Sequence, residues 1–559
     1  MPAIVTNKFR IHNAKQFVEA FDEIATTSGA AITDASGLLN TNMYLFIGKV
    51  TAWTESSSDD TAPPTPTDSV SNTVYNHWRD MIAAKKIGST DVSHVCPRYN
   101  WTSGTNYFAY THANNALFDQ TFYVMTEDYN VYKCLSNNNT DGTSTTKPTG
   151  TGTSIVSTGD GYKWKFMYQI SAARALKFVT PSYMPAQRVR KSNSAIANTT
   201  DSSFQYDVEI AANTSGNGAI EVGHVTTGGT GYLFETSTVQ SGFTETTTRC
   251  KILGTVNTTT DALVGSDIYF TSEAGSSGVT GKGGTITAYA SAIVTFEPAL
   301  ASANVPADGD GYSIGPKVAI TGDGQGANVR ATNTASGVLG DLVVVAGGNN
   351  YGNAVATITA NSSHGSSAAV TPIIGPRGGH GDDAVEELGG FFVMVNSRLE
   401  YGESGNFTTN NDFRKIGLVA QPLYSNGDVA TATTIDQCVT MTIQSWNSTA
   451  FAEDEIVTGT LATGSGATGR VVDFKSNTTI RLVDVVLGAN TTTGFDGIAG
   501  SFQANETIVG GTSGASANTS AVVGGDLQKF SGDVLYIENR SPVTRADDQI
   551  EDIKLIIEF

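Results

Sequence analysis

FSGDVLYIENRSPVTRADDQIEDIKLIIEF, residues Phe530–Phe559, is the stretch that decides how this chain reads. Two strand-like runs flank a polar connection that carries Pro542. In the second run Ile553, Leu555, Ile557 and Phe559 alternate with Lys554, Ile556 and Glu558, the period-two pattern of a half-buried strand. A strand in such a position escapes fraying only when it is paired into a sheet. Its partners must therefore come from earlier sequence, and this stretch is expected to close the fold.

Composition agrees with a fold built from strands. The 559 residues include 60 glycines, and charged residues are only 15%, which suits short strands and tight turns better than helical bundles. Lys plus Arg total 33 against 53 Asp plus Glu, a net charge of −20. Such a surface repels phosphates and anionic lipid, so no direct nucleic acid or membrane partner is expected. The longest apolar runs, such as Phe391–Val395 and Leu342–Ala346, are too short to span a bilayer, and no cationic-then-apolar leader opens the chain. Cys96, Cys134, Cys250 and Cys438 lie far apart without a CxxC pair, which reads as reduced, buried thiols.

Taken in order, Ala3–Phe9 reads as a strand, and Asn13 as the cap of a helix carrying Ala14, Phe17, Val18, Phe21 and Ile24. Met43–Val50 reads as a strand and Glu55–Asp68, with Pro63, Pro64 and Pro66, as an extended loop. Val70–Ile87 has helical spacing, with Val74, Trp78, Met81 and Ile82 on one face. Aromatics crowd the strand-like runs from Val95 to Ile170, which marks core material.

Two Gly/Thr-rich blocks interrupt this core. The first carries GGTGY (Gly228–Tyr232), GDGY (Gly309–Tyr312) and GGNNY (Gly347–Tyr351), the last two followed by VAITG (Val318–Gly322) and VATIT (Val355–Thr359). The second carries FAEDEIVTG (Phe451–Gly459) and FQANETIVG (Phe502–Gly510), 51 residues apart and each followed by a Gly-Ala turn. The expected division is a first core part at 1–190, an insertion at 191–374 and a second core part at 375–440. A second insertion at 441–525 and closing strands at 526–559 complete it. The fold class is mainly β: a β-sandwich core with a small α+β part and two Gly/Thr-rich β insertions.

No chemical motif completes itself. Asp308 and Asp310 on a glycine turn, and Asp323, have the alternation of a Ca²⁺ loop, but the twelfth position counted from Asp308 is Ala319, not Glu. Gly281-Lys282 is followed by Gly283 where a phosphate loop needs Ser or Thr. His94 lies two residues from Cys96 with no second pair to finish a zinc site. Gly378-Gly379-His380-Gly381 reads as a demanding turn, open to a ligand but better explained by packing. Asp382-Asp383 and Asp547-Asp548 are adjacent, wrong for a shared acid/base site, and read as solvated. The sequence thus supports no catalytic residue, no metal ligand, no cofactor and no enzyme.

Five stretches nevertheless fit one family in register: Ala3–Arg10, Ala62–Val70, Gly159–Ile170, Phe413–Leu423 and the closing stretch with its Glu-Asn-Arg, Pro542, Asp-Gln and final apolar run. In these the chain resembles the baseplate wedge protein of T-even-like contractile-tailed phages, the type called gene product eight. The resemblance covers the core and leaves both insertions without a counterpart. It implies a non-enzymatic virion component, assembled in a host cytoplasm, that pairs as a homodimer and links other baseplate wedge proteins, moving with them at infection. The alternative is a carbohydrate-binding or depolymerase module of a tail fibre, with the Tyr of the Gly/Thr repeats stacking on glycan. A secreted β-repeat adhesin is a third reading, disfavoured by the missing leader.

Overall fold

The computed structural model describes residues 3–21, 26–27, 30–31, 42–53, 61–69, 72–138, 142–189, 203–215, 217–253, 258–275, 277–335, 337–360, 364–460, 466–476, 478–488 and 501–559. The fold is mainly β, with 47% strand against 10% helix. Contacts divide the chain into two compact units, 1–94 with 392–559, and 95–391. The break in composition near residue 190 therefore falls inside the second unit, and the aromatic run after Val95 does not belong with the first. Ile24, most of the link after it and the start of the first insertion at 191–202 lie outside the described residues. No described helix is long and apolar enough to cross a membrane.

In the first unit a five-stranded antiparallel sheet runs Thr434–Asp436, Met81–Lys86, Met43–Gly48, Asn411–Ala420, Asp533–Arg545. A second antiparallel pair, Phe392–Glu400 with Ile550–Glu558, sets Val395 opposite Leu555 and Ser397 opposite Ile553. Leu45, Ile47, Phe413, Ile416 and Leu418 from the sheet share one core with Val393, Val395, Ile553 and Leu555 from the pair, which makes the unit a sandwich. Tyr44, Phe46, Met81 and Val419 fill a separate core. Because both faces are covered, Met43–Gly48 is buried throughout and shows no alternation.

The closing stretch pairs as expected, but its first strand is longer than its sequence suggests. Asp533–Arg545 continues through Pro542, and the turn comes after it. Phe413 pairs with Val543 while Lys415 pairs with Asn539, so Pro542 sits in a bulge of a strand that closes one side of its sheet, where its missing N–H breaks no ladder. Ile553 and Leu555 are buried, with Ile557 and Phe559 packed against the same core.

Two helix readings need correction. Ala3–Phe9 is not a strand: a helix spans Asn7–Glu19, and Thr6 rather than Asn13 caps it, its hydroxyl accepting the Phe9 N–H at 3.2 Å. It docks through Ala14, Phe17 and Val18, with the Phe17 ring 5.3 Å from that of Phe559. The second helix stops at Asp80, and Met81–Lys86 is a strand. A Cβ on Gly48 would meet the Asp80 carbonyl oxygen at 2.5 Å, so glycine is required where this junction crosses the neighbouring strand. Pairing with Met43–Gly48 overrides the helical spacing.

The second insertion is a closed six-stranded barrel in the order Val439–Trp446, Thr479–Val486, Thr468–Ser476, Ile456–Gly459, Thr507–Gly510, Ser516–Val523. The 51-residue repeat is its internal symmetry. Thr458 and Val509, the eighth residues of the two repeats, pair with each other, so a pseudo-twofold axis passes between them. Phe451 and Phe502, Val457 and Ile508, Ala467 and Ala515 fill the barrel core in equivalent pairs. Asp436 and Asp526 exchange hydrogen bonds of 2.9 and 2.8 Å at the barrel's base, so its ends lie together. Val472 and Val483 also join the sandwich core, so the barrel is packed as well as tethered.

In the second unit an aromatic sheet runs Tyr123–Met125, Asn130–Asn137, Tyr162–Gln169, Val156–Ser157. The helix Ser203–Ser215 packs Val208 into its core beside Trp164 and Phe166, so the block read as a β insertion also contains a helix. The pair Ile220–Thr230 with Ser366–Ile374 leads into a nine-stranded sheet. There the repeated segments meet, Val318 opposite Ile358 and Ile320 opposite Ala356.

Candidate functional site

Lys133 and Lys165 are direct cross-strand partners in the aromatic sheet, and both are buried. Like charges so placed repel, and each must be satisfied separately. Lys133 donates to Glu387 Oε2 at 2.6 Å and His380 Nδ1 at 2.8 Å, and its ammonium lies 4.1 Å from the centre of the Tyr110 ring. Lys165 donates to the Thr153 carbonyl at 2.7 Å.

The partners of Lys133 come from the Gly378–Gly381 turn and the short helix Ala384–Glu387 behind it. Gly378, Gly379 and Gly381 have φ of 88°, 86° and 99°, and a Cβ on Gly379 would meet the Ala212 carbonyl oxygen at 2.6 Å. This backbone carries His380 to a fully buried position, its ring edge-on to Tyr110 at 4.8 Å. Glu387 Oε1 accepts the N–H groups of Gly381 and Asp383 at 2.8 and 3.3 Å. Asp383 caps the helix, accepting from Val385 and Glu386 at 3.0 and 3.1 Å.

Burial sets the electrostatics. It drives the His380 imidazole well below its usual range, helped by Lys133 and Lys165. The ring is therefore neutral, and because Nδ1 accepts from Lys133 its proton resides on Nε2, which has no hydrogen-bond partner among the described residues. Burial also pulls the Lys133 ammonium down and pushes the Glu387 carboxyl up, while their contact opposes both shifts.

Lys165 also lines a cleft of about 370 Å³, together with Glu221 and apolar side chains that include Ile155, Ile220 and Val344. Glu221 Oε1 accepts the His380 N–H at 3.3 Å, which joins the cleft to the buried cluster. Position, desolvation and charge are therefore concentrated here more than anywhere in the residues singled out from sequence.

Those residues have other work. Asp310 is buried and accepts from Ala274 N–H, Ser277 Oγ and Ala307 N–H at 2.8, 2.9 and 2.8 Å. Asp323 accepts the Gly352 and Asn353 N–H groups, both at 2.9 Å, so each aspartate ties a turn. Among the described residues no three of His, Cys, Asp and Glu gather to hold a metal ion. Lys282 donates to the Gly278 carbonyl within its own turn. Burial pushes the Cys96 thiol up to about 12, so it supplies no thiolate at neutral pH.

Of the two acidic pairs read as solvated, Asp547-Asp548 is exposed and Asp382-Asp383 is not. Asp382 and Asp383 are buried, with Arg188 at 2.9 and 3.8 Å. Asp547 holds Thr409 Oγ1 and Asn410 Nδ2. Tyr232, Tyr312 and Tyr351 are buried too, their hydroxyls accepting the N–H groups of Ala368, Leu253 and Ala327 at 3.2, 3.3 and 3.4 Å. None offers a ring face for stacking on a sugar.

Lys133, Lys165, Glu221 and Glu387 escape sequence reading. The signal was a lysine inside an aromatic strand, Tyr132-Lys133-Cys134 and Trp164-Lys165-Phe166. Compared with known proteins, the chain matches no family model and no curated sequence.

Proposed function

We propose that this chain is a non-enzymatic structural component of the baseplate wedge of a contractile phage tail, linking neighbouring wedge proteins as a homodimer and rearranging with them. One observation supports the reading most. Four of the five segments that carry the resemblance, scattered along the sequence, converge in the first unit. Arg10 bonds to the Phe559 carbonyl and the Glu558 carboxylate. Pro64 O accepts from Asn539 Nδ2 at 2.8 Å, and Phe413 pairs with Val543. Segments that touch one another are constrained together, and a resemblance shared among them is what the reading expects of a common core. Buried charges such as Asp310 and Arg545 are engaged in holding the chain's own loops, as suits a scaffold.

Affinity capture of the tagged chain from cells that naturally make it, with electron microscopy of the recovered particles, tests this. Wedges or baseplates carrying two adjacent copies per wedge are expected. Recovery on isolated fibres, or on polysaccharide alone, overturns the reading and favours the glycan-binding alternative.

A further inference from the structure

The cleft beside Lys165 has the parts of a ligand site, and the wedge reading does not use it. It opens among the Thr153 loop, the helix Ser203–Ser215 and the strands Ile220–Thr230 and Val338–Asn349. Its volume of about 370 Å³ is at the small end of the range for ligand pockets. Two opposite charges line it, Lys165 and Glu221.

Lys165 is only 4% exposed, yet its ammonium, with three donors, makes a single hydrogen bond among the described residues, to the Thr153 carbonyl. A lysine so deeply buried is normally paired with a carboxylate. Here no ion pair joins it to Glu221, although both line the same space. Glu221 in turn receives one N–H, from His380, on Oε1. A cation and an anion that line one cleft without meeting leave room for a ligand that bridges them.

The remaining lining selects among ligands. A phosphate or sulfate would satisfy Lys165 but face Glu221. A sugar would want an aromatic platform, and no ring lines the cleft. Ile155, Ile220, Val344 and Val345 instead present aliphatic surface. We propose that this cleft binds an amino-acid-sized zwitterion with an aliphatic side chain. Its carboxylate is held by Lys165, its ammonium by Glu221, and its side chain lies on the aliphatic wall.

The test uses the full chain, isothermal titration calorimetry and three probes: L-leucine, isovalerate, which lacks the ammonium, and isoamylamine, which lacks the carboxylate. Leucine is expected to bind, with each singly charged analogue about tenfold weaker or more, as loss of one charge-assisted contact predicts. Glu221→Gln should bring leucine and isovalerate to within about threefold of each other. Val345→Trp fills the mouth from its exposed side, where folding is not at stake, and should weaken leucine about tenfold or more. Absence of leucine binding overturns the proposal. So does isovalerate binding as tightly as leucine, or leucine binding unchanged by Val345→Trp.

Discussion

Arg545 is 1% exposed, and every arm of its guanidinium is engaged. Nε and Nη2 reach Glu551 Oε1 and Oε2, both at 3.1 Å, in a two-pronged pair. Nη1 donates to the Thr408 carbonyl at 2.9 Å and Nη2 to the Tyr401 carbonyl at 2.5 Å, while the group lies 5.5 Å from the centre of the Phe407 ring. The pair bolts the turn between the last two strands to the 401–408 loop. Removing one partner of such a pair strands a buried charge and costs about 3–5 kcal/mol. Glu551→Leu and Arg545→Met are each expected in that range, the second near its top because it also orphans two carbonyls. The double variant Arg545→Met with Glu551→Leu leaves only those carbonyls unsatisfied, a cost of about 1–3 kcal/mol. Amide hydrogen exchange in Ile550–Glu558 reads this locally, free of the second unit. Each single variant should speed exchange there by roughly 150- to 5,000-fold, and the double variant by less than either. Single effects that simply add, or a single effect below about 1 kcal/mol, would refute the buried-pair account.

Leu555→Asp places a carboxylate in the sandwich core and should give insoluble protein, whereas Lys554→Asp, whose side chain is 21% exposed, should fold nearly as well as the parent; soluble yield separates them. In the barrel, a Cβ on Gly459 would approach Glu506 Oε1 to 1.9 Å, and one on Gly510 would approach Glu455 Oε1 to 2.5 Å. Gly459→Ala and Gly510→Ala should therefore each destabilise it by about 1–3 kcal/mol in urea melts, and a neutral result at both would mean the glutamates are free to move. Both nitrogens of His77 are buried without partners among the described residues, and burial, then Lys415, lowers its pKa from 6.5 to about 4. The unfolded chain binds that proton first, so stability is full above pH 6.5 and falls as the pH drops toward 4. His77→Gln should flatten this part of the stability–pH curve, and an unchanged slope would assign it to other groups.

What the sequence made legible is what repeats or alternates. The Ile553–Phe559 alternation places the burial of Ile553 and Leu555 correctly, and the 51-residue repeat is the barrel's own symmetry. Equivalent residues keep equivalent duties there: Asp454 and Asn505 both hold positive φ, at 62° and 64°. What remained hidden depends on neighbours remote in the chain. Met81–Lys86 has helical spacing but becomes a strand because Met43–Gly48 needs a partner on that side. Arg545 looks like any polar loop residue until Glu551 and two distant carbonyls surround it. Lys133 and Lys165 are charged residues in an apolar sheet, and only pairing places them opposite each other beside His380. Adjacent aspartates such as Asp382 and Asp383 read as solvated because Arg188, which covers them, lies almost two hundred residues away.

The pairing of Met43–Gly48 with Asn411–Ala420 sets a timetable for synthesis. About 360 residues separate the two strands, and at the usual rate of roughly 5–20 residues per second the first waits roughly 20–70 s for the second. Met81–Lys86 arrives early but covers only one edge. Meanwhile the whole of 95–391 emerges and can fold as a unit. Throughout that interval Tyr44, Leu45, Phe46 and Ile47, each of which ends with at most 1% of its surface exposed, have no sandwich to enter. A nascent chain with such a segment exposed is a natural client for a chaperone that binds short apolar strands. Slowing translation between residues 95 and 391 should lower the soluble yield, while slowing it before Met43 should not.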